Sequence, residues 1–139
     1  MPKTPTRIAK RHYELLALLR YKLRGFLQFS GEAAAAVGLT PQQHQALLAI
    51  KGFPGRDRVS VGDLAERLHL KHHSAVGLVD RLAARQLVKR TPAKDDRRRV
   101  EISLTARGEA LLGKLSAAHL AELRQQGPEL RRLLELISG

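Results

Sequence analysis

Two aspartates and three arginines stand together at Asp95-Asp96-Arg97-Arg98-Arg99, with Lys94 just before them. A carboxylate beside a guanidinium makes a charge-assisted bond that can fix the arginine's rotamer. Arginines left over after such pairing are fixed cations suited to a polyanion. A second set, His72, His73, Ser74, Val76, Gly77 and Arg81, recurs at spacings that share one face of a helix. Neutral histidine donates or accepts, serine is an adaptable donor, and valine offers a methyl surface.

The elements around these sets are legible from their periodicity. Ser60 suits an N-cap for a helix over 61–68, with Val61, Leu64, Ala65 and Leu68 inward and Asp63 near its positive end. His69-Leu70-Lys71 reads as a turn. A helix over 72–85 follows, with Ala75, Leu78, Val79 and Leu82 inward. Leu87–Arg90 and Arg98–Ser103 read as two strands around the charged loop, with Val100 and Ile102 inward. Helix, turn, helix and charged hairpin outline a winged helix-turn-helix, which places one helix in the DNA major groove and its hairpin beside the backbone or minor groove. In that setting Arg98 is expected in the minor groove, with Asp96 holding the wing arginines.

The flanks are long amphipathic helices. Thr4-Pro5 or Thr6 can start the first, and its apolar face runs from Ile8 through Leu15, Leu19, Leu23 and Leu27 towards Val37. Gly38 ends it. Thr40, Pro41 and Gln43 form the capping-box start of a helix over 41–51, which Gly52-Phe53-Pro54-Gly55 stops. Thr105 caps a helix over 106–125. Gly127-Pro128 is expected to break it and start a last helix carrying Leu130, Leu133, Leu134 and Ile137. The fold class is mainly α with a small β-hairpin wing. The expected organisation is a single domain over 1–139, with dimerisation helices at 6–37 and 106–137 and the DNA-binding region at 40–104. The apolar stripes exceed what one small domain needs, which points to a homodimer.

Composition sets further bounds. The chain has 139 residues and a formal net charge of +12, from 25 Lys+Arg against 13 Asp+Glu. The basic residues are interleaved with apolar ones, so they belong to folded faces rather than a tail. There is no cysteine and no tryptophan, and aromatics make up 4%. Single-strand binding through stacked aromatics is therefore disfavoured. No apolar run approaches a membrane span or a signal peptide, which fits a cytoplasmic protein without a membrane partner. No nucleophile motif, phosphate loop or paired carboxylate cleft is present, and no enzyme activity is expected. His69, His72 and His73 have a spacing that can converge on zinc, but the turn lies between them. His12 and His44 could meet between the first two helices, with Glu14 and Glu32 the nearest carboxylates in sequence. Lone helical histidines are more often packing or surface residues, so no metal and no cofactor is assigned.

The chain resembles the MarR family of bacterial transcriptional regulators over nearly its whole length. GLTPQQHQALLAI at Gly38–Ile50, VGDLAERLHL, LVDRL at Leu78–Leu82 and DRRRVEISLTARG at Asp96–Gly108 carry the resemblance as a set. It implies a roughly triangular homodimer that binds pseudo-palindromic double-stranded DNA, usually as a repressor. It also implies release by a small ligand in a cleft between the dimerisation and DNA-binding parts. A small organic inducer is expected near His12, Tyr13, Arg20 and His44. Two positions depart from the pattern. Lys71 stands where serine often caps the helix, and Gln86 where glycine is usual. A nonspecific architectural DNA-binding protein is the alternative that the charge would also serve.

Overall fold

The computed structural model describes residues 7–139. The helix starts read at Thr4-Pro5 and Thr6 lie outside that range. Five helices and three strands follow in the order α1 (Lys10–Ala36), α2 (Pro41–Lys51), β1 (Arg58–Val59), α3 (Val61–Leu68), α4 (His72–Ala84), β2 (Val88–Pro92), β3 (Val100–Leu104) and α5 (Ala106–Ser138).

Helix starts follow side-chain chemistry. Thr40 Oγ1 accepts from Gln43 N at 3.1 Å, and Gln43 Oε1 accepts from Thr40 N at 3.1 Å. Ser60 and Asp63 make the same reciprocal pair at 3.0 Å each way. Each pair satisfies two backbone donors that a helix start would otherwise leave open. Helix α1 begins later than Ile8, at Lys10, where His12 Nδ1 accepts from Ala9 N at 2.9 Å. A histidine at the third helical position thus supplies one half of a capping box, the alanine N-cap offering no acceptor in return, and Ile8 precedes the helix.

The sheet has the order β1-β3-β2, antiparallel throughout, so Arg58–Val59 adds a third strand beside the hairpin. Pro92 lies on the edge strand β2, where its missing N–H breaks no ladder. Ile102 is buried, but Val100 is 41% exposed. It shares the face of Ile102, yet pairs with Pro92 at the hairpin's far end, beyond the reach of the core.

One core joins α2, α3, α4 and the sheet through Leu47, Ile50, Leu64, Leu78, Leu82, Leu87 and Ile102. Each such side chain contributes about 1.5–3 kcal/mol when taken out of water. The helix-turn-helix is therefore held rigidly against its own wing.

The expected break at Gly127-Pro128 is absent: α5 runs on through Pro128. A proline in a helix interior loses one hydrogen bond and costs about 3 kcal/mol. Packing on both sides offsets that loss. Leu115 before it and Leu133 after it are both buried, and Lys22 Nζ of α1 binds Glu129 Oε1 at 2.8 Å next to the proline. Helices α1 and α5 lie antiparallel, since Lys22 meets Glu129 while Ser30 meets His119. Among the described residues no helix is long and apolar enough to cross a membrane.

Candidate nucleic-acid interface

The presentation of α4 begins with how α3 ends. His69 adopts a left-handed conformation (φ 53°, ψ 45°), and Leu70 N donates back to Ala65 O at 2.8 Å. The chain then turns through extended Lys71 into α4. No side chain caps α4, as expected of a lysine at that place, so its first N–H groups stay open to solvent or an anion. Ala75, Leu78, Val79 and Leu82 are buried. The opposite front carries exposed His72, His73, Asp80 and Arg81, and half-buried Ser74, Val76 and Gly77. The six residues singled out for this helix therefore lie together on one open surface.

Helix α4 closes through Arg85, and Gln86 just beyond it has a left-handed φ of 60°. Leu87 N then donates to Leu82 O at 3.0 Å, and the chain enters β2. The start of α5 rests on this corner. Thr105 Oγ1 donates to Gln86 O at 2.7 Å and accepts from Gly108 N at 3.0 Å. Thr105 N donates to Leu87 O at 3.0 Å. A Cβ at position 108 would stand 2.1 Å from that same carbonyl oxygen. The Leu-Thr-x-x-Gly sequence is thus the joint that fixes α5 to the root of the wing.

The wing tip is ordered by its own charges. Ala93 N donates to Arg99 O at 2.9 Å, and Arg99 N to Asp96 O at 3.0 Å. Asp96 Oδ1 accepts from Arg98 N at 3.0 Å and from Arg98 Nε at 3.4 Å. Arg99 Nη2 donates to both oxygens of Asp95, at 2.7 and 2.9 Å. That bond, ahead of nearby backbone donors, holds the Asp95 carboxyl below its ordinary range, and it raises Arg99 in turn. Asp96 was expected to hold the wing arginines; in the structure Asp96 engages Arg98 and Asp95 takes Arg99. The Arg98 side chain is 93% exposed despite its contact. Lys94 and Arg97 are exposed as well.

Two more arginines brace the module and were not singled out in the sequence. Arg90 of β2 binds Asp80 of α4, tying the helix front to the wing. Arg85 donates to Gly38 O at 2.5 Å and to Gln43 Oε1 at 3.4 Å, tying the end of α4 to the α1–α2 turn.

The four residues expected around a ligand do not converge within the chain. His12 caps the start of α1, while Tyr13 and Arg20 are exposed on the same helix. His44 lies opposite Ser30, roughly 27 Å further along that helix at 1.5 Å per residue. The side chain His44 does meet is His119 of α5, with ring centroids 4.9 Å apart. His119 Nε2 is 2.8 Å from Ser30 Oγ and Nδ1 is 2.7 Å from Leu115 O. A carbonyl only accepts, so Nδ1 donates to Leu115 O and Nε2 is left to pair with the Ser30 hydroxyl. Phe26 and Phe29 close over the edge of His119. The signal was present in the sequence: His119 falls four residues after Leu115 and seven after Leu112, on the buried stripe of α5. Among the described residues no three metal-ligating side chains gather.

Residues 37–99, from the end of α1 to the wing tip, match the family model for the MarR family. The chain is 30% identical over 90 residues to the HTH-type transcriptional repressor MdtR of Bacillus subtilis (strain 168), covering 65% of this chain and 56% of that protein. A MarR family protein from Bacillus stearothermophilus has the same fold, with a TM-score of 0.76 at 23% identity, over 96% of this chain and 100% of that one. So has an S. aureus MepR variant bound to an oligodeoxyribonucleotide, with a TM-score of 0.69 at 20% identity, over 87% and 96% of the two chains. From α2 to the wing the chain is thus similar to the MarR family, and over its whole length it shares the fold of these structures.

Proposed function

We propose that the chain is a sequence-specific, DNA-binding transcriptional regulator that works as a homodimer and represses genes near its operator. The carrying observation is the pairing of two unlike surfaces on one rigid module. The wing offers exposed cations, with Arg98 foremost. The front of α4 offers Ser74, Val76 and Gly77, which carry no charge and are suited to base edges rather than phosphates. A purely electrostatic binder would carry lysine or arginine there. The DNA-bound MepR variant of the same fold agrees with this reading.

Dimerisation is supported by apolar surface without a cover in the single chain. Leu16, Leu23 and Leu27 of α1 are 50%, 48% and 66% exposed, and Leu120, Leu134 and Leu136 of α5 are 50% or more. Contiguous exposure of this kind marks an interaction face. Residues 10–36 and 106–138 are accordingly the proposed dimerisation helices. A small-molecule inducer completes the proposal. Of the places named for it, the one at His44 lies between α1, α2 and α5, where a ligand would move α2 against the dimerisation helices. DNA-bound work places the protein in the bacterial cytoplasm.

The test is a gel shift with duplexes from the promoter regions of the chain's own and neighbouring genes, with excess unrelated competitor, alongside sedimentation of the free protein. Retention of one promoter duplex by a dimer supports the proposal. Equal competition by any DNA would leave a nonspecific architectural protein.

A further inference from the structure

Gly77 stands in the middle of the open front of α4, and a Cβ built there would come within 3.3 Å of Arg81 Nη1. Arg81 therefore lies back along its own helix, its guanidinium over the turn N-terminal to it. The neighbouring arginines are engaged, Arg85 with Gly38 O and Arg90 with Asp80. Among the described residues Arg81 has no hydrogen-bonded or ionic partner. Glycine in a helix interior is unfavourable relative to alanine, so its presence here needs a local reason. The position of Arg81 supplies one.

We propose that Gly77 and Arg81 form a single reading element for guanine, one per half-site. This rests on the reading above that α4 enters the major groove. The glycine leaves the gap in which the guanidinium rests at the helix centre, close to the bases, rather than at the C-terminal end near the backbone. A guanidinium presents parallel N–H donors in a rigid fork. Guanine presents two acceptors side by side in the major groove, O6 and N7, whereas adenine pairs an acceptor with a donor. Of the four bases, only guanine offers this fork two acceptors. Ser74, one turn earlier on the same front, would meet the adjoining base pair.

The experiment is selection of bound duplexes from a random-sequence library by the full chain, repeated with Arg81→Ala, Arg81→Lys and Gly77→Ala, each checked for helix content. Wild type should recover a two-fold symmetric motif with an invariant guanine in each half. Arg81→Ala should lose preference at that base pair alone, with affinity for the guanine site down about tenfold or more. Arg81→Lys should keep affinity better than selectivity. Gly77→Ala should weaken the same preference by displacing Arg81. Uniform weakening across all sequences in Arg81→Ala would make Arg81 a phosphate contact and overturn the inference. An unchanged motif in Gly77→Ala would overturn the role of the glycine. A wild type that recovers no motif would instead remove the sequence-specific reading on which the inference stands.

Discussion

The rings of His44 and His119 meet 4.9 Å apart, tilted by 50°, where α2 and α5 pack on α1. His44 is 2% exposed, and its Nδ1 has no hydrogen-bond partner. Burial first, and the neighbouring His119 second, hold the His44 pKa below its ordinary 6.5. A neutral ring is therefore what the folded chain accommodates. The unfolded chain takes up a proton at this residue below pH 6.5, before the folded chain does. Stability is accordingly full above that pH and declines as the pH falls below it, by up to about 1.4 kcal/mol per pH unit for one proton. Thermal melts at fixed protein concentration, between about pH 7.5 and 5.5, should show the decline. His44→Leu should flatten it. An equally steep decline in that variant would assign the effect to other groups.

Gly108 is predicted to tolerate no side chain. Its Cβ position lies 2.1 Å from the Leu87 carbonyl oxygen, which also accepts from Thr105 N. Both partners are backbone, so relief requires α5 to lift off the wing root. Gly108→Ala should lose about 1–3 kcal/mol or more in urea unfolding, in the range of an overpacked core. Gly113→Ala on the same helix meets nothing within 4 Å and serves as the control, with unchanged or raised stability.

How much of this was readable depended on the range of the interaction. Capping at Thr40, Ser60 and Thr105 is decided within four residues, and all three helices start where those side chains place them. The fronts of α4 and the wing follow from helix and hairpin periodicity. Pro128 misleads because its local penalty is opposed by α1, about a hundred residues earlier in sequence, through Lys22 and the buried face around Leu133. His44 and His119 are likewise joined only by tertiary packing. Nothing near His12 discloses that its imidazole turns back to Ala9 rather than towards α2. The division of labour between Asp95 and Asp96 is set by the turn's geometry, which residue types alone leave open.

Gln86 carries a local cost that a single change should remove. Its φ of 60° is the region glycine occupies freely and other residues enter at a cost of about 1–2 kcal/mol. Its carbonyl, rather than its side chain, receives the bond from Thr105. Gln86→Gly keeps that bond and relieves the strain, while adding some freedom to the unfolded chain. A net gain of up to about 1 kcal/mol in denaturant unfolding is expected. Gln86→Val, branched at Cβ, should move stability the other way. A loss on changing to glycine would mean that the glutamine side chain contributes packing.

The wing separates charge from geometry. Arg98 is 93% exposed, so Arg98→Ala should leave the melting temperature unchanged. Binding to the selected operator should weaken by about 1–3 kcal/mol, with the salt slope per subunit falling by about one. Asp96→Ala is the sharper variant. Removing an acid from a DNA-facing loop makes the protein more basic, and if charge alone decided affinity, binding would tighten. Asp96 Oδ1, however, receives both the Arg98 backbone N–H and Arg98 Nε, and the Asp96 carbonyl receives Arg99 N. Losing the carboxylate frees two of those three contacts and lets the tip sample other shapes, so binding should weaken despite the added charge. Asp95→Ala should have a milder effect of the same sign, because it releases the Arg99 side chain while the Asp96 contacts to Arg98 and to Arg99 N remain. Fluorescence anisotropy on operator DNA at about 50 and 200 mM salt separates these outcomes. Tighter binding by Asp96→Ala at both salt concentrations would refute the orienting role and leave the wing a nonspecific basic finger.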